Sequence, residues 1–342
     1  MATRRAPKSN AAAPANPGMQ PPEPRVSVVI RTFNEEQHIG KLLRGIQNQT
    51  LAPDVEVIVV DSGSTDGTVD VARPFGVRLV NITPEEFSFG RALNRGIAVA
   101  TAPFVVIASA HVYPVYNDWL ERMIAPFSNE RIAVTYGKQR GCETTQYSEH
   151  QIFARWFPDR SVRVQETPFC NNANSAIRRS LWAETPYDEE LTGLEDLAWA
   201  RIMFERGLRV SYVAEAEIIH VHNEPANVVL RRYEREAIAF RRIYPEQTMS
   251  LPGMASLFLQ NATSDLVHAS REGVLARHWN DILTFRFLQF YGAWRGMNEP
   301  VVTAQLRERF YYPHNLTARR SEDDHERQKH RIRYESDTDP AP

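Results

Sequence analysis

The sequence predicts an α/β protein with a mainly parallel, Rossmann-like sheet flanked by helices, followed by a helical C-terminal extension. Three observations carry this reading. Short β-branched runs alternate with amphipathic segments between Val26 and Ala108, and each run ends in a cluster of polar residues. From about residue 251 the apolar periodicity is helical alone.

Val26-Ser-Val-Val-Ile30 is by composition a buried parallel strand. Residues 35–49 then place Ile39, Leu42, Leu43 and Ile46 at helical spacing. Residues 55–60 form the second strand, 65–75 a short helix, 77–80 the third strand, 90–100 the third helix and 104–108 the fourth strand. Open sheets of this kind bind ligands outside the carboxyl ends of their strands, so the residues that follow each strand are the first candidates. Farther on, an amphipathic helix opens at Glu195-Asp196 and runs to about Gly207. Trp279, Ile282, Phe285, Leu288 and Tyr291 make an apolar stripe, read first as core packing or a homo-oligomer contact. An acceptor-side or peripheral membrane role is the alternative.

Ala, Pro, Asn and Ser dominate residues 1–24, read as a disordered leader, and dense charges of both signs make 317–342 a solvated tail. Between them lie an α/β domain at 25–248 and the helical extension at 249–316. A formal net charge of -2 and the absence of a nucleic-acid motif argue against a nucleic-acid partner. Cys142 and Cys170 are isolated, which excludes a disulfide framework and makes a reducing compartment the default. No apolar stretch follows Arg4 and Arg5, and the uncharged segment 96–110 is too short to span a bilayer and is broken by Pro103. A cytoplasmic location is expected, with the inner face of the membrane as a peripheral site.

The strand ends carry the chemistry. The first gives Arg31-Thr-Phe-Asn-Glu35 and the second Asp61-Ser-Gly-Ser-Thr-Asp-Gly-Thr68. Asp61 closes an apolar strand, where its carboxylate is placed to meet a base or ribose, although a plain helix-capping turn reads equally well. The loop is neither a Walker loop nor a GxGxxG fingerprint. His111 follows the fourth strand, and His220 and His222 stand two apart after another apolar run. Paired imidazoles with a third from elsewhere suit a divalent metal, whereas a lone histidine is more often structural. Glu195 and Asp196 fall in a first helical turn, where capping is the plain role and deprotonating an acceptor hydroxyl the functional one. Phe169-Cys-Asn-Asn-Ala-Asn-Ser175 reads as a hydrogen-bonding wall for a sugar or as an Asn-rich turn.

Taken in order, these segments resemble the family 2 glycosyltransferases, inverting enzymes of the GT-A fold, over roughly residues 26–223. The Phe-Ser-Phe-Gly variant before Arg91 most resembles the rhamnosyltransferase-like branch, and no QxxRW element of processive synthases is present. The resemblance implies that Thr32, Asn34, Glu35, Asp61 and Ser64 contact the nucleoside of a nucleotide-sugar donor. It also implies that Asn94 belongs to a donor-side element with Arg91 and Arg95 as phosphate partners. It makes Asp196 the base, Glu195 its neighbour, and His220 or His222 a completing metal ligand. One departure stands out: the family's metal-binding Asp-x-Asp is here Ser109-Ala110-His111, with Ser109 grouped on the donor side. Three outcomes follow: a Mn²⁺ or Mg²⁺ site built on His111, a metal-free enzyme using cations, or a nucleotide- or carbohydrate-binding scaffold that has lost turnover. The expected activity is single-step sugar transfer to a hydroxyl of a glycan or lipid-linked acceptor in surface polysaccharide assembly.

Overall fold

The computed structural model describes residues 24–297, 330–332 and 334. Strands β1 (Val26–Thr32), β2 (Val55–Asp61), β3 (Arg78–Asn81) and β4 (Phe104–Ser109) pair in parallel in the order β3-β2-β1-β4. Past β4 the sheet becomes mixed. Strand β8 (Asn174–Arg178) runs antiparallel to both β4 and β6 (Ile132–Arg140). Strand β9 (Arg209–His220) is parallel to β6 and antiparallel to β5 (Val112–Pro114) and β7 (Val162–Gln165). The sheet is therefore a parallel half joined to a mixed half. A reversed strand such as β8 starts at the edge where β1 and β4 end, so both halves deliver polar residues to one rim.

Alternation along β1 splits the core into two layers. Val28 and Ile30 face α1 (Glu36–Gln47) and α4 (Trp119–Ile124), packing with Ile39, Leu42 and Trp119. Val29 faces α3 (Phe89–Ala98) and α7 (Glu195–Glu205), packing with Leu93, Ile97 and Met203. Helix α3 lies against the sheet at a distance only glycine permits, because a Cβ on Gly96 would sit 2.5 Å from Val29 Cγ1 and 2.8 Å from Val60 Cγ2. Gly96→Ala is expected to lower stability by about 1–3 kcal/mol through overpacking, read as a lower denaturant midpoint at unchanged m.

The helical layer starts earlier than residue 249. Helix α8 (Ala226–Ile243) packs along α10 (Leu275–Met297), and α9 (Leu251–Arg271) covers them. The contact is close: a Cβ on Gly292 would lie 2.6 Å from the Leu230 carbonyl. The layer also shares a core with the α/β part, since Leu191 and Leu197 pack with Phe240, Met254, Leu257 and Phe290. Within the apolar stripe Ile282 and Phe285 are buried, while Trp279 is 52% exposed. Residues 298–316 of the expected extension, like the leader 1–23, lie outside the described residues.

Most of the expected tail also lies outside them, but its described residues hydrogen-bond to the sheet edge, and Ile332 and Tyr334 are half-buried there. The Asn117 amide donates to the His330 carbonyl at 2.7 Å, the Ile332 amide to Val115 at 2.8 Å, and the Tyr334 hydroxyl to Pro114 at 2.6 Å. Strand β5 lies at the sheet edge, where unpaired backbone groups accept an added strand. A single tyrosine supplies the anchor, its ring tilted against Tyr113 at a centroid distance of 5.6 Å, and composition gives no sign of it. Among the described residues no helix is long and apolar enough to cross a membrane.

Candidate active site

The loops after β1 and β2 are stitched together. Asn34 takes the left-handed conformation at φ 56°, which asparagine tolerates better than most residues. Its backbone N–H donates to Ser64 Oγ at 2.9 Å, and its Oδ1 accepts from the Thr65 N–H at 2.8 Å. Asp61 is buried, and its carboxylate accepts from the Gly63 and Ser64 amides at 3.1 and 3.0 Å and from Ser64 Oγ at 2.5 Å. Gly63, at φ 86°, makes the turn that allows this. Asp61, Ser64 and Asn34 thus shape the loop from within. Thr32 Oγ1 and Ser62 Oγ, at the same rim, are buried without a hydrogen-bond partner.

Two expected donor-side residues are engaged elsewhere, and a third is exposed. Asn94 uses both ends of its amide on α6 (Arg179–Glu184) and the segment that follows it. It donates to the Tyr187 carbonyl and Glu189 at 2.9 and 3.0 Å and accepts from Trp182 Nε1 and the Tyr187 amide at 2.9 and 3.0 Å. With no open donor or acceptor it is a structural fastener. Arg91 is held by Glu189 at 2.7 Å and by the Glu86 carbonyl at 2.8 Å, so its charge is already paired. Arg95 is exposed on the same helix and acts electrostatically on Glu189. The helical period places these side chains toward residues 182–189 and away from the strand ends, a geometry the linear motif does not reveal.

The carboxylate pair does reach the rim. Leu194, at φ 55°, redirects the chain so that Glu195 and Asp196 open α7. Glu195 accepts from Arg31 Nη1 at 3.0 Å and from Asn172 Nδ2 at 3.3 Å. Asp196 accepts from the Asn172 and Leu197 amides, each at 2.8 Å. Burial and then the Glu195 carboxylate push Asp196 up to about 7, and the two amide bonds only partly offset them. A carboxylate in that range is suited to take a proton at neutral pH. Asn171 and Asn172 organise the wall, while Asn174 is structural, accepting from Trp119 Nε1 at 2.9 Å and donating to the Ala216 carbonyl at 2.8 Å. Ser109, half-buried at the end of β4, stands beside Arg31 in register, and its amide meets the Ala173 carbonyl.

His111, His220 and His222 converge as expected, with one nitrogen of each within 4.8 Å of the others. His220 is buried, and desolvation followed by the charges of its histidine neighbours holds it well below the usual imidazole value. Neutral imidazoles are the form that binds metal. A first-row ion with bonds of about 2.0–2.1 Å spaces its nitrogens at no more than about 4.2 Å, so a small contraction closes this set on one. Glu35, expected at the nucleoside, accepts from His111 Nδ1 at 2.7 Å, so its carboxylate belongs to the histidine cluster.

Several site residues escaped the sequence reading. Glu149, in α5 (Tyr147–Trp156), accepts from His222 Nδ1 at 2.8 Å and from Arg232 Nη2 at 2.7 Å. Burial alone raises Glu149, but those partners outweigh it and hold the group at about 2. Gln139 meets His220, and Arg235 lies 4.7 Å over the Phe89 ring that Arg31 covers at 4.9 Å. No local motif marks these residues, because α5, α8 and β6 bring them in from distant sequence.

Residues 27–184 match the model of glycosyl transferase family 2. That segment of the chain is similar to family 2 glycosyltransferases. It is 27% identical over 222 residues to the O-antigen chain rhamnosyltransferase RfbN of Salmonella typhimurium, covering 61% of this chain and 70% of that protein. It is 33% identical over 199 residues to the glycosyltransferase AglE of Haloferax volcanii, covering 55% and 64% respectively. Among solved structures, the mannosyltransferase PcManGT from Pyrobaculum calidifontis, in complex with GDP-Man and Mn²⁺, superposes with a TM-score of 0.56 at 20% identity, over 80% of this chain and 87% of that one. That likeness places the fold among GT-A structures. This chain is also 26% identical over 230 residues to the O-antigen chain rhamnosyltransferase WbaN of Salmonella anatum, covering 61% of this chain and 70% of that protein, and its helical layer packs on the domain that carries the site.

Proposed function

We propose that this glycosyltransferase moves one sugar, with inversion, from a nucleoside diphosphate donor to a hydroxyl of a glycan or lipid-linked glycan. Rhamnose is the first donor to test, on the names of the relatives RfbN and WbaN. The observation that carries the reading is the Glu195–Asp196 pair at the sheet rim, with a raised Asp196 beside the Asn171–Asn172 wall. Asp196 takes the acceptor proton as the oxygen attacks the anomeric carbon and the bond to the diphosphate breaks. Glu195 and Arg31 fix the geometry around it. The loop of Asn34, Asp61 and Ser64 frames the nucleoside.

His111, His220 and His222 would hold a divalent ion, whose charge would offset that of the departing diphosphate. Three imidazoles favour Mn²⁺ over the harder Mg²⁺. Arg31, Arg232 and Arg235 are the cations at hand near the same rim.

Thermal shift across a panel of nucleotides and nucleotide sugars, followed by anomeric NMR of the product, tests the proposal. A retained configuration would refute inversion, and donor binding without transfer would support a scaffold instead. Asp61→Ala should weaken nucleotide binding at least tenfold, about 1.4 kcal/mol, because the loop loses the carboxylate that folds it. An unchanged dissociation constant in a folded variant would remove that loop from the donor site.

A further inference from the structure

The three histidines are not alone in their arrangement; each has its Nδ1 on an oxygen. His111 Nδ1 meets Glu35 Oε1 at 2.7 Å, His220 Nδ1 meets Gln139 Oε1 at 2.8 Å, and His222 Nδ1 meets Glu149 Oε1 at 2.8 Å. A carboxylate only accepts, so His111 and His222 carry their proton on Nδ1. Arg232 Nη1 also lies 3.2 Å from His222 Nδ1, farther than the carboxylate, and Arg232 Nη2 donates to that carboxylate at 2.7 Å.

An amide can be flipped, so the Gln139 contact needs its own argument. The Ala173 backbone N–H donates to Asn171 Oδ1 at 2.9 Å, and a backbone N–H has no alternative role. Asn171 Oδ1 is therefore the acceptor that Gln139 Nε2 meets at 3.0 Å. That leaves Gln139 Oε1 facing His220, whose Nδ1 must be the donor. All three rings are then the same tautomer, with Nε2 as the free lone pair.

The consequence is electrostatic. His220 Nε2 and His222 Nε2 face each other at 3.0 Å. With both Nδ1 atoms protonated these are two lone pairs in contact, and a cation between them relieves the repulsion. A proton would serve two nitrogens, but the set here has a third ring, stacked on His220 at a centroid distance of 5.1 Å.

Resting on the metal-assisted reading above, we infer that Glu35, Gln139 and Glu149 are positioning residues that lock three histidine tautomers. They thereby make a preformed tris-imidazole site that binds a borderline transition ion before any nucleotide arrives. An outer shell of oxygens on the second nitrogen fixes ring orientation and raises ligand basicity. Three of a harder ion's oxygen positions would be taken by nitrogen, so Mg²⁺ is a poor occupant.

Co²⁺ titration of the full chain without nucleotide reads the site by ligand-field absorption. One equivalent should bind, and excess Mg²⁺ should not displace it. Glu35→Leu and Gln139→Leu should each lower Co²⁺ affinity about ten- to hundredfold, whereas Glu35→Gln, which keeps an acceptor for His111, should stay within a few-fold. Should the Leu variants not fold, long-range ¹H–¹⁵N spectra of histidine-labelled, metal-free protein decide the matter. Three pyridine-like Nε2 signals are expected, and Nε2-protonated rings would overturn the inference. So would absence of Co²⁺ binding without nucleotide, or unchanged affinity in folded Leu variants. Absence of Co²⁺ binding together with transfer would reject the ion site and keep the glycosyltransfer reading, while ion binding with no transfer to any acceptor would do the reverse.

Discussion

Asp196→Asn is expected to lower kcat by about a hundredfold or more while nucleotide affinity stays within a few-fold. The substitution keeps the size of the side chain and one carbonyl acceptor, so one of the Asn172 and Leu197 amides retains its partner, but it removes the basicity. The pH profile gives a second readout. A base works unprotonated, and burial beside Glu195 raises Asp196 to about 7, so wild-type activity should be lost as pH falls through that value. The small residual activity of the variant should lack that limb. Near-normal turnover in Asp196→Asn would pass the base to Glu195, although the ion pair of Glu195 with Arg31 at 3.0 Å suits a positioning role better.

Exhaustive chelation is expected to cost at least a hundredfold in transfer, with Mn²⁺ restoring it better than Mg²⁺. His111→Ala should abolish the metal-stimulated part, and His111→Asp should retain it with a shift toward Mg²⁺, since an oxygen ligand replaces a nitrogen. Chelation leaves cationic side chains untouched. Full activity in a chelated, metal-analysed sample would therefore place the leaving-group charge on the arginines. Arg235 is the sharpest alternative, because its Nε is buried without a hydrogen-bond partner and its guanidinium lies over Phe89 at the rim. Arg91 is a poor one, being paired already with Glu189.

The parallel half of the fold was legible residue by residue. Buried parallel strands are continuous apolar runs, and β1, β2 and β4 are such runs in this chain. Helix α1 likewise declared itself through Ile39, Leu42, Leu43 and Ile46, all buried. The mixed half was less visible, because helices α5, α6 and α7 and their connections separate β6, β7 and β9, whose pairings reach across long stretches of chain.

What the sequence determined by itself was the set of groups at the rim. Residues at strand ends and in first helical turns have their direction set by local geometry, so Asp61, Glu195, Asp196, His111 and His220 could be named from motif and period alone. Which of them touch was decided by tertiary structure. Asn94, Arg91 and Arg95 sit in a donor-like motif, yet the rotation of α3 on the sheet, set by the close approach at Gly96, turns Asn94 and Arg91 onto residues 182–189 and leaves Arg95 exposed beside Glu189. Conversely Glu35, Gln139, Glu149 and Arg232 come together only because β6, α5 and α8 pack where β9 ends. Hydrogen bonds between groups as far apart as 83 positions in the chain leave no periodic trace in the sequence, since each partner is satisfied by the fold rather than by its neighbours.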